Sequence, residues 1–216
     1  MKTISHTLQV SSTIGPVSAE ITEADTVSTL YVLAHGAGAG MHHSFMADLA
    51  RELALSGIST LRFNFPFIEQ GKRRPDVPAV AEKTIAAAIA KAKELYPRAK
   101  LIAGGKSFGG RMTSNYLSKN ADPDVRGIAF VAFPLHPPGK PATDRAAHLK
   151  SVTQPMLFLQ GTRDELATLD LIQQVCSELP KATLVIIPEA DHAFKRGKKD
   201  FLPELIKPLT DWAETL

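Results

Sequence analysis

The residue types best suited to chemistry in this chain are concentrated around Ser107. An apolar run that starts at Leu101 predicts a strand at 100–104, and 107–120 predicts a helix, so Ser107 lies at the turn between them. Glycines at positions 105 and 109 flank it in a Gly-x-Ser-x-Gly pattern. This spacing is typical of a serine on a sharp strand-to-helix turn, where small neighbours let strand and helix approach. The helix N-terminus beside Ser107 offers unpaired N–H groups where an oxyanion could form. Ser107 is therefore a candidate nucleophile.

A phosphate-binding loop is the main alternative, because Gly105-Lys106-Ser107 reproduces the end of the Walker A motif. That motif also requires a glycine at position 100, which here is a lysine. The phosphate-binding interpretation therefore fails. Glycine and serine are common in turns, so the pattern is informative mainly because a predicted strand precedes it and a predicted helix follows it.

A serine hydroxyl is a poor nucleophile at neutral pH and needs a base, usually a histidine that a carboxylate orients. Asp164 comes shortly after a predicted strand at 156–160, and His192 comes shortly after one at 183–187. Serine, aspartate and histidine follow one another along the chain in one of the known orders of such triads. The three residues are therefore candidates for a nucleophile, an orienting acid and a general base.

Each of these residues also has an ordinary structural explanation. Taken singly, an aspartate such as Asp164 often caps a loop, and a histidine such as His192 often lies on the surface. Their joint placement, in order and each at the end of a strand, favours the triad. Glu165 and Asp191 are neighbouring alternatives for the carboxylate, and Asp164 is favoured over Glu165.

Strands and helices alternate along the chain from position 27 onward, after an N-terminal hairpin. The predicted strands are 4–10, 16–22, 27–34, 58–63, 100–104, 125–132, 156–160 and 183–187. The predicted helices are 44–56, 79–96, 107–120, 167–179 and 201–215, with irregular segments at 64–78 and 133–151. Such alternation predicts one α/β domain over residues 1–216, with a mostly parallel central sheet of about eight strands and helices on both faces. Ligands of such sheets bind at the carboxyl ends of the strands.

The composition is that of an ordinary globular protein, with 216 residues, 44% of them hydrophobic and 22% charged. The N-terminal residues contain no apolar signal segment, and no apolar run approaches the length of a membrane span. The only cysteine, Cys176, cannot form an internal disulfide and is expected to be a small buried hydrophobe. A reducing cytoplasm is the expected compartment, and no membrane partner is expected.

Basic residues are clustered at 72–74 and 195–199, although the net charge is only +3. Runs of this kind are usually solvated surface. Neither a basic stripe with interleaved aromatic residues nor a known reader fold is present, so nucleic acid is not an expected partner.

The chain resembles the small serine α/β-hydrolases, close to their dienelactone-hydrolase-like and esterase-like members. The residues that carry the resemblance run from end to end: His35-Gly36, Gly105-x-Ser107-x-Gly109, Gly161-x-x-Asp164 and Asp191-His192. Dienelactone hydrolases themselves have a cysteine where this chain has Ser107. The segments 62–66 and 133–141 resemble a subfamily for which no substrate is implied. The region usually expanded into a lid, 133–151, is short here, which favours a minimal lid and an open site.

The resemblance implies the α/β-hydrolase fold and a serine hydrolase acting on a carboxylic ester or thioester of a small or extended acyl group. Ser107 would attack, His192 would take its proton, and Asp164 would orient the histidine. The backbone N–H groups of Phe108 and Ala37 would hold the oxyanion. No cofactor is expected. The alternative is a protein of the same fold that binds or scaffolds without catalysis.

Several other residues are weaker candidates. His35 and His136 could contact substrate or pack within loops, and Arg111 could either pair with a carboxylate or reach an anionic substrate. His42 and His43 lack the carboxylate or cysteine spacing of a zinc site, so no metal is expected. If the two basic runs border the site, they would attract an acidic substrate.

Overall fold

Eight strands form the main sheet of the protein, which a computed structural model describes from Met1 to Leu216. They are β1 (Lys2–Ser11), β2 (Gly15–Glu23), β3 (Thr29–Ala34), β4 (Ile58–Phe63), β5 (Lys100–Lys106), β6 (Val125–Val131), β7 (Met156–Gly161) and β8 (Ala182–Ile187). Their order across the sheet is β1-β2-β4-β3-β5-β6-β7-β8. β1 pairs antiparallel with β2, and β2 pairs antiparallel with β4. All other neighbours are parallel, as the α/β alternation predicts.

Helices cover both faces of this sheet. They are α1 (Ser44–Leu55), α2 (Pro66–Glu69), α3 (Pro78–Leu95), α4 (Phe108–Lys119), α5 (Leu169–Ser177) and α6 (Pro203–Glu214), with a 3₁₀ helix at Asp144–Ser151. The apolar sides of α1 and α6 pack on one face, and those of α3, α4, α5 and the 3₁₀ helix pack on the other. Cys176 is unpaired and lies in the second of these cores, as predicted. The predicted α/β architecture, a mostly parallel eight-stranded sheet with helices on both faces, is confirmed.

Three short elements were not predicted from the sequence. The segments 64–78 and 133–151, expected to be irregular, contain α2 and the 3₁₀ helix. The basic run at 195–199 belongs to a small hairpin of β9 (Lys195–Arg196) and β10 (Lys199–Asp200). Hydrophobic periodicity needs several turns or several alternating residues to be visible, and these elements are too short or too polar to show it.

The 3₁₀ helix lies within the segment 133–151, which was expected to form at most a minimal lid. It packs against α4 through the buried residues Ala146 and Leu149. Ser114 of α4 also lies 2.7 Å from Nε2 of His148. The segment is therefore part of the wall of the domain. None of the helices combines the length and the apolar composition that crossing a bilayer requires.

Candidate active site

Ser107 has the strained backbone that its place in the sequence predicts. It lies between the last residue of β5 and the first of α4, with φ 50° and ψ −114°. A positive φ is uncommon for a residue with a Cβ atom, and such strain persists where surrounding contacts hold it. Its N–H donates to the carbonyl oxygen of Val131 at 3.0 Å, and its own carbonyl oxygen accepts from the N–H of Arg111 at 3.1 Å. Hydrogen bonds to β6 on one side and to the first turn of α4 on the other therefore fix the backbone orientation of Ser107.

The glycines on either side of Ser107 are required by the close approach of β3. A Cβ atom on Gly105 would lie 2.1 Å from the carbonyl oxygen of Ala34. One on Gly109 would lie 2.6 Å from the same oxygen and from that of His35. Since each clash involves backbone, no side-chain rotation relieves it. The Gly-x-Ser-x-Gly spacing is thus the condition for packing β5 and α4 against β3.

The side chains of Ser107, His192 and Asp164 form one hydrogen-bonded chain. Nε2 of His192 lies 2.8 Å from Oγ of Ser107, and Nδ1 of His192 lies 2.7 Å from Oδ2 of Asp164. The side chain of Asp164 is fully buried, whereas that of His192 is 26% exposed. An imidazole in this setting accepts a proton at Nε2 while its Nδ1–H donates to the carboxylate.

The carboxylate of Asp164 is held on both oxygens. Oδ1 accepts from the N–H of Leu166 at 2.8 Å, and Oδ2 accepts from the side-chain amide of Gln160 at 2.5 Å. Gln160 is itself buried, and its Oε1 accepts from the N–H of Phe133 at 3.0 Å. Sequence reasoning missed Gln160, although a polar residue at the end of the apolar strand β7 was an available signal.

The alternative carboxylates occupy different positions. Glu165 is exposed and pairs with nothing in the site. One oxygen of Asp191 accepts from the N–H groups of Ala193 and Lys195, at 2.9 and 2.8 Å, and so closes the turn that follows β8. Of the three carboxylates considered, Asp164, Glu165 and Asp191, only Asp164 contacts the ring of His192.

The loops that carry Asp164 and His192 are joined through Ala190. A Cβ atom on Gly161 would lie 2.2 Å from the carbonyl oxygen of Ala190, and the N–H of Arg163 donates to that oxygen at 2.9 Å. The glycine at the end of β7 thus lets the two loops approach, which places Asp164 next to His192.

The residues predicted to supply oxyanion donors lie on either side of Ser107. Phe108 is the first residue of α4, and the loop after β3 brings Gly36 against Ser107, since a Cβ on Gly36 would be 3.7 Å from that of the serine. The N–H groups of Phe108 and Ala37 form none of the turn and loop hydrogen bonds of the chain. Both remain available as donors.

His35 is a structural residue, which corrects its assignment as a substrate contact. Its side chain is completely buried, lies 2.7 Å through Nδ1 from the carbonyl oxygen of Gly36, and accepts at Nε2 from the N–H of Phe65 at 3.0 Å. Burial lowers the pKa of His35 to about 4, so the ring is neutral at physiological pH. No atom of the ring is left for a substrate, because both nitrogens are used within the protein.

Two residues of the 62–66 segment help to hold the same loop. The guanidinium of Arg62, which is buried, donates to the carbonyl oxygen of Met41 at 2.8 Å and to Glu20 at 2.6 Å. The side-chain oxygen of Asn64 accepts from the N–H of Met41 at 2.8 Å. This segment therefore supports the loop in which Ala37 lies.

His136 is likewise structural, which again corrects an expected substrate contact. It is buried, lies 2.9 Å through Nδ1 from the carbonyl oxygen of Pro137, and accepts at Nε2 from the N–H of Thr168 at 3.0 Å. Its backbone N–H donates to the carbonyl oxygen of Leu166. His136 therefore anchors the loop that carries Asp164 and does not reach the cleft.

Arg111 shows neither of the two roles considered for it. Its side chain forms no ion pair and does not border the cleft beside Ser107, so its assignment as a substrate contact is also corrected. It lies near Arg145 of the 3₁₀ helix, and burial together with that second cation lowers the pKa of Arg111. The first turn of α4 carries this charge because the guanidinium remains partly exposed to water.

A cleft of about 650 Å³ opens beside Ser107 and His192. Its charged lining residues are Asp48, Lys106, Lys195 and Asp200. Its apolar lining comes from the loop after β3, the start of α1, and Leu166 and Leu202. Of the two basic runs, only 195–199 reaches this cleft, through Lys195, and 72–74 does not border it.

The fold and this arrangement of loops define an α/β-hydrolase. Residues 27–204 match the family described as the alpha/beta hydrolase domain, and the chain belongs to that family.

Solved structures of this fold are similar over nearly the whole chain. Dienelactone hydrolase from Anabaena variabilis superposes with a TM-score of 0.80 and 17% identity, covering 99% of this chain and 97% of that one. An α/β serine hydrolase homologue from Coxiella burnetii gives 0.75 and 19%, covering 99% and 96%. A Xanthomonas campestris protein described as an α/β serine hydrolase without lid gives 0.73 and 19%, covering 100% and 93%. At these identities the similarity establishes the fold.

A curated relative from Mycobacterium tuberculosis carries a different name. It is provisionally named as a phosphoribosyl transferase, and it is 28% identical over 202 residues, or 91% of this chain and 43% of that protein. The chain thus spans less than half the length of this relative.

Proposed function

We propose that the protein is a serine hydrolase that cleaves a carboxylic ester or thioester of a small or extended acyl substrate. The observation that carries this proposal is the continuous chain of contacts from Ser107 through His192 to the buried Asp164, at 2.8 and 2.7 Å. Membership of the α/β-hydrolase family supports it. The transferase name of the M. tuberculosis relative is not transferred, because it describes a protein more than twice as long as the matching segment.

Acylation begins when the hydroxyl of Ser107 attacks the carbonyl carbon of the substrate. Nε2 of His192 takes the hydroxyl proton as the new C–O bond forms, and the buried carboxylate of Asp164 stabilises the resulting imidazolium. The imidazolium then donates that proton to the departing alcohol or thiol. Gln160 and the N–H of Leu166 keep the carboxylate oriented throughout, since each donates to one of its oxygens.

Negative charge develops on the carbonyl oxygen of the substrate during this attack. The N–H groups of Phe108 and Ala37 are the proposed donors to it, in keeping with their free N–H groups and their positions beside Ser107. Removing one donor of this kind typically costs about 3 kcal/mol of transition-state stabilisation. The positive end of the α4 dipole acts in the same direction.

Deacylation repeats the sequence with water as the nucleophile, so His192 again serves as base and then as acid. The cleft is moderate in volume and bordered by short loops, which suits a small acyl group or an extended one that leaves the site at its open side. The groups used in these steps lie in loops at one edge of the main sheet, and we infer that residues 1–216 form a single α/β-hydrolase domain.

Covalent labelling tests the proposal directly. A fluorophosphonate probe should label the wild-type protein at Ser107, and Ser107→Ala should abolish both labelling and ester hydrolysis while leaving the circular dichroism spectrum and melting temperature unchanged. Ser44→Ala is a suitable control, because Ser44 borders the cleft without contacting the triad. A wild type that neither reacts with the probe nor turns over esters would support the non-catalytic scaffold instead.

A further inference from the structure

Lys106, the residue directly before Ser107, is held in a specific setting that the proposed reaction does not use. Its ammonium nitrogen lies 2.5 Å from the backbone carbonyl oxygen of His192. It also lies 5.5 Å from the ring centroid of Phe194 and 5.9 Å from that of Phe45. A carbonyl oxygen and two aromatic faces thus surround a single cation, each with a favourable electrostatic interaction.

This contact joins two parts of the chain whose relative position matters for the reaction. Lys106 ends β5 and immediately precedes the serine, while His192 lies in the loop after β8, at the far edge of the sheet. The sheet itself does not join them, because β6 and β7 lie between β5 and β8. The side chain of Lys106 spans this separation, so that its hydrogen bond to the backbone of His192 links the histidine loop to the end of β5.

We propose that Lys106 is a positioning residue that fixes the loop bearing His192, so that Nε2 of the histidine stays within hydrogen-bonding distance of Ser107. This inference rests on the proposed hydrolase function. The lysine acts through His192 and does not contact the reacting atoms. If this loop could shift by about 1 Å, His192 would often be misplaced for taking the proton of Ser107, and the rate of attack would fall.

The charge state of Lys106 should govern the strength of this contact. Burial lowers the pKa of Lys106 to about 8, and the carboxylates of Asp164 and Asp191 oppose that shift. The other ionisable groups around the cleft are His43, Asp48, His192, Lys195 and Asp200. An ammonium donates a stronger hydrogen bond to a carbonyl oxygen than a neutral amine does. The contact is therefore strong below pH 8 and weakens as the pH rises through that value.

Lys106→Met and Lys106→Arg test the proposal with an ester substrate over pH 6 to 10. Methionine keeps much of the apolar stem and removes the donor, whereas arginine keeps a charged donor over the whole range. Lys100→Met is a matched control, because Lys100 starts the same strand and donates to the carbonyl oxygen of Ala213 at 2.7 Å, at the opposite end of the sheet. Circular dichroism and melting temperature establish that each variant is folded.

For wild type, kcat should fall as the pH rises through about 8. Lys106→Met should lower kcat by roughly tenfold to a hundredfold, with little change in KM and without that alkaline decline. Lys106→Arg should restore most of kcat and remove the decline, and Lys100→Met should behave as wild type. The low-field proton resonance of the His192–Asp164 hydrogen bond should be lost in Lys106→Met and retained in Lys106→Arg.

A folded Lys106→Met with unchanged kcat and pH profile would overturn the positioning role while leaving the proposed hydrolase function intact. A rise in KM with unchanged kcat would also overturn it, because the lysine would then be a substrate contact. If Lys106→Met does not fold, the pH profile and proton resonance of Lys106→Arg decide the matter: a wild-type alkaline decline in that variant overturns the proposal. A wild type that fluorophosphonate does not label would remove the function on which the inference rests.

Discussion

The Nδ1 atom of His192 lies 2.7 Å from Oδ2 of Asp164, and that carboxylate is completely buried. Because Gln160 and the N–H of Leu166 also donate to it, the acid has no exposed edge and one fixed orientation. The tautomer of the histidine is therefore set by the protein, with its free lone pair directed at Ser107.

Asp164→Asn should lower kcat by about 10⁴ with little change in KM, because an amide nitrogen facing Nδ1 favours the wrong tautomer of His192. Steady-state hydrolysis of an activated ester measures this effect. Glu165→Gln is the matched control, since Glu165 is adjacent in sequence and exposed, and its activity should equal that of wild type. A reversed pattern would transfer the orienting role to Glu165.

Gly105→Ala should prevent stable folding, because φ is +143° there and the new Cβ would lie 2.1 Å from the carbonyl oxygen of Ala34. We expect a loss above about 3 kcal/mol, seen as a lower urea midpoint or as insoluble protein. Gly139→Ala provides the comparison, since Gly139 also has a positive φ of +67° but open space around it. That variant should lose only about 1 kcal/mol. Equal losses in the two variants would show that backbone strain, rather than the approach of β3, sets the requirement.

Acid should destabilise the fold through His35. Its pKa is lowered from 6.5 to about 4 in the folded protein, so between these pH values the unfolded chain binds a proton that the folded chain does not. The free energy of unfolding should therefore fall as the pH drops from about 6.5 to about 4, by up to about 3 kcal/mol from this residue. Protonation at Nε2 also opposes the N–H of Phe65, which donates to that atom.

Urea unfolding at several pH values measures this loss. His35→Gln keeps an acceptor that can face Phe65 and cannot titrate, so its stability should depend less on pH over the same interval. His148 has a pKa lowered to about 4 by burial and nearby cations, and it contributes a loss of the same sign. His6→Gln, on the half-exposed face of β1, should retain the wild-type dependence. An unchanged slope in His35→Gln would place the acid sensitivity elsewhere.

If the cleft favours acidic substrates, salt should affect substrates of different charge differently. Lys195 borders the cleft and forms no ion pair with a carboxylate, so kcat/KM for an ester carrying a terminal carboxylate should fall as ionic strength rises. A neutral ester of the same length should be unaffected. Lys195→Met should weaken the salt dependence, and Lys72→Met should not, because the 72–74 run does not border the cleft. Equal salt dependence for both esters would argue against attraction of anions.

Several sequence predictions failed at residues whose role depends on a distant partner. His35, His136 and Arg111 were candidate substrate contacts because each follows either a strand end or Ser107. In the fold, His35 bonds to Phe65, and His136 bonds to Thr168. Nothing local distinguishes a histidine that faces a cleft from one that accepts a backbone N–H thirty residues away.

Lys106 and Gln160 were missed for the converse reason. Lys106 directly precedes Ser107, and Gln160 lies four residues before Asp164, yet each contacts a part of the chain that only folding brings near, His192 in one case and Phe133 in the other. A buried polar residue within an apolar strand was the available signal for Gln160. Lys106 gave no such signal, because it occupies a variable position of the Gly-x-Ser-x-Gly pattern.

The amino-acid sequence by itself determined the order of the eight main strands and of the five longer α-helices, and the loops that carry Ser107, Asp164 and His192. It could do so because hydrophobic periodicity is local, and because parallel strands necessarily bring their carboxyl ends to one edge of the sheet. Tertiary structure alone decided which polar side chains face the cleft and which are buried and hydrogen-bonded within the protein. Hydrogen-bond partners are chosen by distance in space, and residues such as Ala190 and Ala34, which set those distances, carry no chemical mark of their own in the sequence.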